Sequence, residues 1–316
     1  MPESPVIETR NLTKAFGIGK NKVVAVDRIN IKVMKGQIHG FLGPNGAGKS
    51  TTIKMLVGAL MPSSGEAYIM NNKIGSNASK QVFGYAPERP CFYDDMVSVE
   101  YLTYIGQLCG LRKSEARSRA RELLKWLDLS DSTERKIKYF SAGMKQKLGL
   151  AQALIHEPEL LILDEPTANL DPIGRASIIE KIRQLAKEKK VTIFVSSHIL
   201  AEIEKVADTV TIIDKGKMLL ESDVKSLKQH FAGHHYIISC SNNNSLLKIL
   251  KARPYVSKCW MEQDQVNVIA SKEGELQEEL PQILIKNKLI LESFGKISLS
   301  LESIFMEVVT DKNVKA

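Results

Sequence analysis

Nine consecutive residues, Gly43-Pro44-Asn45-Gly46-Ala47-Gly48-Lys49-Ser50-Thr51, constrain the chain more than any other part of it. They follow an apolar run at 37–42 and open a stretch of helical character at 50–61 that Pro62 is predicted to end. A glycine-rich turn between a strand and a helix is the setting of a phosphate-binding loop. The glycines permit backbone dihedrals and a close approach that a Cβ would forbid. Successive N–H groups then turn inward as an anion cradle, and the following helix adds its positive end. Lys49 is placed to reach β- and γ-phosphates, and the Ser50 hydroxyl to ligate Mg²⁺.

A second element agrees with the first. Leu160-Leu161-Ile162-Leu163-Asp164-Glu165 is an apolar strand that delivers a carboxylate at its C-terminal end, where open α/β sheets bind ligands. Asp164 is predicted to hold Mg²⁺ through water, and Glu165 to orient or deprotonate an attacking water. Around these elements, residues 1 to about 221 alternate short apolar strands (6–10, 29–33, 37–42, 67–70, 82–85, 160–164, 192–196, 209–214) with helical stretches (50–61, 173–189, 199–206). That alternation predicts a mainly parallel sheet covered on both sides. A helix-rich block (99–109, 114–127, 143–156) interrupts it.

Past residue 230 the texture changes. Strand-like runs at 236–240, 256–261, 266–269 and 289–294 alternate with helical runs at 246–252 and 276–287, and an amphipathic helix follows at 301–309. The order β-α-β-β-α-β predicts a small split-βαβ sandwich. The pair His234-His235 reads as solvated linker, since adjacent side chains diverge.

Several classes are excluded. No stretch approaches the ~18–20 apolar residues of a membrane-spanning helix. The start, Met1-Pro2-Glu3-Ser4, lacks the basic and apolar regions of a secretory signal, so none is expected. The four cysteines form no close pair of metal-ligand or redox type and are expected to be reduced thiols. The net charge of +8 admits an anionic partner. Its excess is concentrated at 112–147, where 11 basic residues face 5 acidic ones. That is a solvated helical face or one turned to an anionic leaflet or nucleotide, rather than a nucleic-acid surface.

Phe140-Ser141-Ala142-Gly143-Met144-Lys145-Gln146-Lys147 opens a helix about twenty residues before Asp164. With it the chain resembles the ATPase subunits of ABC transporters, over residues 6 to about 221 and in the right order. The resemblance implies that Ser141 and Gly143 contact the γ-phosphate of a second subunit's ATP. It matches Ala168-Asn169-Leu170-Asp171-Pro172 to the D-loop through Asp171, which is also a helix N-cap by its position before Pro172. It matches His198 to the switch histidine, and Phe16, 27 residues before Gly43, to the aromatic that stacks on adenine.

The implied fold is α/β. A phosphate-loop ATPase core with mainly parallel sheet, antiparallel β edge and helical subdomain (about 90–155) spans 1–225, and a small α+β accessory domain with a C-terminal helix spans 230–316. The implied catalytic residues are Glu165, His198 and Lys49. The nucleotide residues are Phe16, the loop Gly43 to Thr51, Ser141, Gly143 and Asp171, and the metal residues are Ser50, Asp164 and Glu88. The implied partners are a second ATPase subunit, identical or related, and integral membrane permease subunits at the cytoplasmic face, with no nucleic acid.

Three positions depart from the family pattern. Glu88, in Gly84-Tyr85-Ala86-Pro87-Glu88, stands where the family has Gln, keeping an oxygen for Mg²⁺ but adding charge. Ala142 replaces Gly and Met144 replaces Gln. Together with Pro87-Glu88 these resemble the branch that energises ABC-2 type permeases, including exporters of drugs, antibiotics, lipids or polysaccharides. The other readings fit less well. An ABC-type ATPase of chromosomes would need long coiled coils, and one of ribosomes usually two ATPase units. A GTPase would need Asn-Lys-x-Asp, and Asn72-Lys73-Ile74-Gly75 lacks the Asp.

Overall fold

A computed structural model of the 316-residue chain describes residues 4–168, 170–232, 234–271, 274–296 and 300–310. The chain divides into two compact units, Met1–Val224 with Val308–Ala316, and Lys225–Glu307.

In the first unit the strands are β1 (Ile7–Phe16), β2 (Val23–Ile29), β3 (Lys32–Val33), β4 (Ile38–Leu42), β5 (Ser64–Ile69), β6 (Asn72–Lys73), β7 (Phe83–Ala86), β8 (Leu160–Asp164), β9 (Thr192–Ser197), β10 (Thr209–Asp214) and β11 (Lys217–Asp223). The helices are α1 (Lys49–Leu56), α2 (Asn77–Gln81), α3 (Ser98–Leu108), α4 (Lys113–Trp126), α5 (Ala142–Leu154), α6 (Pro172–Lys189) and α7 (Leu200–Ile203), with α8 (Val224–Ala232) at the boundary.

One sheet runs β11-β10-β4-β9-β8-β7. Its pairings are parallel except β10 with β11, which is antiparallel. Every residue of β4, β8 and β9 is buried, as continuous apolar strands covered on both faces must be. A second, antiparallel sheet joins β2-β1-β5-β6 with β3 on β1. The two sheets share a core that includes Ile7, Phe41, Ile53, Met55, Ile162 and Phe194. The α/β class, the parallel sheet and the antiparallel edge follow the sequence reading.

His39 on β4 is fully buried, and its two ring nitrogens lie 2.8 Å from the hydroxyls of Thr211 and Thr209. Burial pushes its pKa down to about 3, so the ring is neutral. Helix α1 stops at Leu56, short of the predicted residue 61. The stop is Gly58 at φ +75°, where the chain turns so that Ala59 and Leu60 N–H groups both donate to Lys54 O. Pro62 therefore lies beyond the end of the helix instead of setting it.

The helical block α3–α5 meets the sheet through a contact of unusual closeness. A Cβ on Gly84 of β7 would lie 1.9 Å from Ala153 O and 2.8 Å from Ala153 C, both backbone atoms of α5. Only glycine lets strand and helix touch this way. Gly84→Ala is expected to destabilise the fold by about 1–3 kcal/mol, in the range of overpacked cores. At roughly 2–4 °C per kcal/mol for a chain of this class, calorimetry should show a drop of several degrees. An unchanged melting temperature would mean that β7 and α5 part at no cost.

The second unit carries β12 (His234–Cys240), α9 (Asn243–Lys251), β13 (Val256–Glu262), β14 (Gln265–Ala270), α10 (Glu275–Lys286) and β15 (Leu291–Lys296), and α11 (Leu301–Thr310) closes the described chain. The sheet order is β13-β14-β12-β15, all antiparallel. Tyr236, Ile238, Val266, Val268 and Cys259 pack with Leu246 and Leu250 of α9 and Leu276, Leu280 and Ile283 of α10. The β-α-β-β-α-β pattern thus closes into a four-stranded sheet with its two helices on one apolar face. His234 and His235 lie in β12 instead of a linker, and His235 is half-buried with its ring 5.2 Å from Trp260.

Candidate active site

The loop after β4 is held in shape by its own backbone. Gly48 sits at φ +104°, and a Cβ there would meet Ala25 O at 2.6 Å. A side chain at this position is therefore excluded twice over. The turn places Gly48 as the N-cap of α1, so the free N–H groups of the helix start face the loop.

Pro44, Asn45, Gly46, Gly48, Lys49, Ser50 and Thr51 line a cavity of about 500 Å³, and Glu88, Glu165, Ala168, Arg175 and His198 complete much of its wall. Gly43 and Ala47 support the loop from behind: Gly43 O accepts a 2.6 Å bond from Lys49 Nζ, and Ala47 is 2% exposed.

Lys49 and Glu165 form a buried ion pair, Nζ to Oε1 3.1 Å, with side chains only 5% and 8% exposed. Lys49 also donates to Pro44 O at 3.3 Å. On the other carboxylate oxygen, Glu165 Oε2 lies 2.7 Å from His198 Nδ1 and accepts the His198 N–H at 3.3 Å. Glu165 itself has φ +49°, a backbone region that side chains seldom adopt. Such strain persists only where neighbours over-determine it and collects at functional sites.

Asp164 ends β8 beside the loop. Its Oδ1 accepts from Ser196 Oγ at 2.7 Å and from Ser50 Oγ at 3.2 Å. Burial raises its pKa above the usual carboxylate range. The two serine hydrogen bonds oppose that shift, and the charges of Glu165 and Glu88 add to it. Ser196 Oγ also accepts the Glu165 N–H at 3.0 Å. One serine thus ties both acidic residues to β9. No sequence motif marks Ser196; its role follows from β8 and β9 being parallel neighbours with Asp164 opposite Ser196.

Oxygen donors suited to a hard cation come from Ser50 and Glu88, which line the cavity, and from Asp164, which is not among its lining residues but contacts Ser50 Oγ at 3.2 Å. Among the described residues, no group of three or more His, Cys, Asp or Glu side chains could hold a metal ion. That donor set fits Mg²⁺, which binds through one or two carboxylates plus substrate phosphates and water.

Phe16, Ser141, Gly143 and Asp171 are not among the residues lining the cavity. The Phe16 ring is half exposed, with Lys14 Nζ 5.3 Å from its centroid. Ser141 is the exposed N-cap of α5 and accepts the Met144 N–H at 3.3 Å. Asp171 caps α6 in the same way, accepting the Gly174 N–H at 2.7 Å ahead of Pro172.

Residues 26–168 match the family model described as ABC transporter. The chain is 38% identical over 309 residues to the bacitracin transport ATP-binding protein of Bacillus licheniformis, covering 97% of this chain and 98% of that protein. The chain belongs to the ABC transporter ATP-binding family. It is also 38% identical over 216 residues to the linearmycin resistance ATP-binding protein of Bacillus subtilis, covering 68% of each. A solved ATP-binding subunit of an ABC transporter is similar at 29% identity with a TM-score of 0.64, over 72% of this chain and 93% of that one. An ATP-binding cassette solved as a dimer with ADP and Pi shares the fold, at 23% identity and TM-score 0.64, over 69% of this chain and 98% of that one. The chain is accordingly an ATP-binding ATPase subunit of an ABC transporter. Among the described residues, no helix of this subunit is long and apolar enough to cross a membrane.

Proposed function

We propose that this ATPase subunit pairs with a second copy or a related subunit around two ATP molecules and drives a separate ABC-2 type permease at the cytoplasmic face of the membrane, in the direction of export. The observation that carries this reading is the end-to-end likeness to a bacitracin transport ATP-binding protein, which extends through the small C-terminal unit. The signature variant Ser141-Ala142-Gly143-Met144 and the Pro87-Glu88 pair support it.

In this reading Lys49 and the loop N–H groups from Gly43 to Thr51 hold the β- and γ-phosphates, and Phe16 offers its face to adenine. Ser50, Asp164 and Glu88 hold Mg²⁺, which when bound neutralises charge shared by the β- and γ-phosphate oxygens. Glu165 orients and takes a proton from the attacking water. His198 keeps that carboxylate aimed through its 2.7 Å contact. Ser141, the Gly143 N–H and Asp171 face the ATP of the partner subunit. Most of the catalysis is then positioning and charge neutralisation, since phosphoryl transfer asks little covalent chemistry of the protein.

A cluster of exposed aromatics suits a helix of the permease. Tyr93 and Tyr104 are 60% and 40% exposed; Phe92 and Tyr93 pack on Tyr101 of α3, and Tyr104 packs on Tyr93, a few residues past Glu88. Affinity purification of the tagged subunit from membranes tests the reading: an ABC-2 type permease should copurify, and its absence counts against the pairing. For Glu88, the Glu88→Gln variant should shift the Mg²⁺ concentration needed for half-maximal hydrolysis. An unchanged rate and metal dependence would remove Glu88 from the metal site.

A further inference from the structure

The segment that follows Glu165 is anchored at both ends of its length to the helix that follows His198. Thr167, 1% exposed, donates its hydroxyl to Glu202 Oε2 at 2.6 Å. Glu202 lies on α7, four residues past His198. Its other oxygen, Oε1, is 3.9 Å from Arg175 Nη1. Arg175 in turn donates from Nε to Leu170 O at 2.8 Å. Thr167, Glu202, Arg175 and Leu170 thus form one chain of contacts that loops from the residues after Glu165, through α7, back to the residue before Asp171.

The far end of this chain reaches α5. The Leu170 side chain is 7% exposed, and its Cδ2 lies 3.7 Å from where a Cβ on Gly143 would stand. The same segment therefore adjoins Glu165 at one end, where the Ala168 N–H donates to Glu165 O at 3.0 Å, and meets the start of the α5 helix at the other. Arg175 also lines the ATP cavity.

We infer that Arg175 and Glu202 are positioning residues that clamp Thr167 and Leu170 to the helix after His198, fixing Glu165 and Asp171 in one frame during hydrolysis. The clamp acts through other groups and makes no contact with the reacting phosphate. It presupposes Glu165 as the carboxylate that acts on water. The guanidinium is suited to the task because its planar fork can serve a carbonyl with Nε and a carboxylate with Nη1 at once, which a lysine ammonium cannot. Glu202, only 13% exposed at its side chain, has its negative charge met by this arginine and by the Thr167 hydroxyl.

The test is steady-state Mg²⁺-ATP hydrolysis by the full-length subunit carrying Arg175→Lys, Glu202→Gln, Thr167→Val, Thr167→Ser and the double variant Thr167→Val/Arg175→Lys. Small misplacements far from the chemistry can cost up to about a hundredfold. Thr167→Val and Arg175→Lys should each lower kcat at least roughly tenfold with the KM for ATP little changed, the mark of a lost transition-state arrangement. Thr167→Ser, which keeps the hydroxyl, should restore near-wild-type kcat. The double variant should lose little more than either single one, because the residues act as a unit.

Unchanged kcat, a raised KM at constant kcat, or multiplicative losses in the double variant would each overturn the clamp. Glu165→Gln run alongside separates the two levels. If it is inactive while the clamp variants are normal, the clamp alone fails. If Glu165→Gln is itself near-normal, the assignment of Glu165 fails.

Discussion

Glu165→Gln is expected to bind ATP normally, to lower turnover by at least ~100-fold, the low end of general-base effects, and to accumulate a closed ATP-bound dimer. The geometry gives the reason. The carboxylate is held by Lys49 Nζ at 3.1 Å and by His198 Nδ1 at 2.7 Å, and the residue's backbone N–H donates to Ser196 Oγ. An amide at this position keeps the size and one carbonyl oxygen, so the loop and Lys49 remain arranged for phosphate. It cannot take a proton from water. Size-exclusion chromatography with ATP, beside a single-turnover assay, measures both halves. A variant that hydrolyses at near-normal rate would move the catalytic role to another residue. A dead variant that also fails to bind ATP would make Glu165 a structural partner of Lys49 and no more.

Lys49→Ala is expected to fail earlier, at binding. Hydrogen bonds to charged groups are worth about 1.5–3 kcal/mol each, so losing one such contact to phosphate weakens ATP affinity roughly ten- to a hundredfold. The same change strips the buried Glu165 of its cation. Breaking one side of a buried pair costs about 3–5 kcal/mol in general, and the remaining contact to His198 places this case at the lower end. Thermal unfolding should therefore shift down even without nucleotide. Adding Glu165→Gln to Lys49→Ala should recover part of that loss, because it removes the unmatched charge. Additive destabilisation by the two changes would mean that the ion pair contributes nothing to the fold.

The candidate site was legible in the sequence where its residues are contiguous. The loop from Gly43 to Thr51 and the pair Asp164-Glu165 carry their setting with them, an apolar strand before and a helix or turn after. Ser196, Thr167, Arg175 and Glu202 were not legible. Each meets a partner brought close by the tertiary fold, as with Ser196 and Asp164 across β9 and β8, and such pairings are not written in local periodicity.

The fold divides the same way. Continuous apolar strands such as β8 and β9 announce themselves, since both faces are buried. Strand β11 does not: of Lys217–Asp223 only Leu220 is buried, and the strand is defined by its hairpin with β10. Strand β2 was missed for a related reason, being exposed at its first two residues and held by β1. The overrun of α1 shows propensity yielding to a single backbone angle at Gly58.

The fit of Gly84 against Ala153 has a mechanical meaning beyond stability. With no clearance between strand and helix, β7 and the C-terminal end of α5 behave as one rigid part, like a gear cut on its own shaft. Glu88 lies four residues along the chain from Gly84, and Ser141 caps the opposite end of α5. In the proposed reading, a push on α5 is expected to move β7, and with it the approach to Glu88, together with Ser141. The missing methyl group of Gly84 is what removes the play between these two parts.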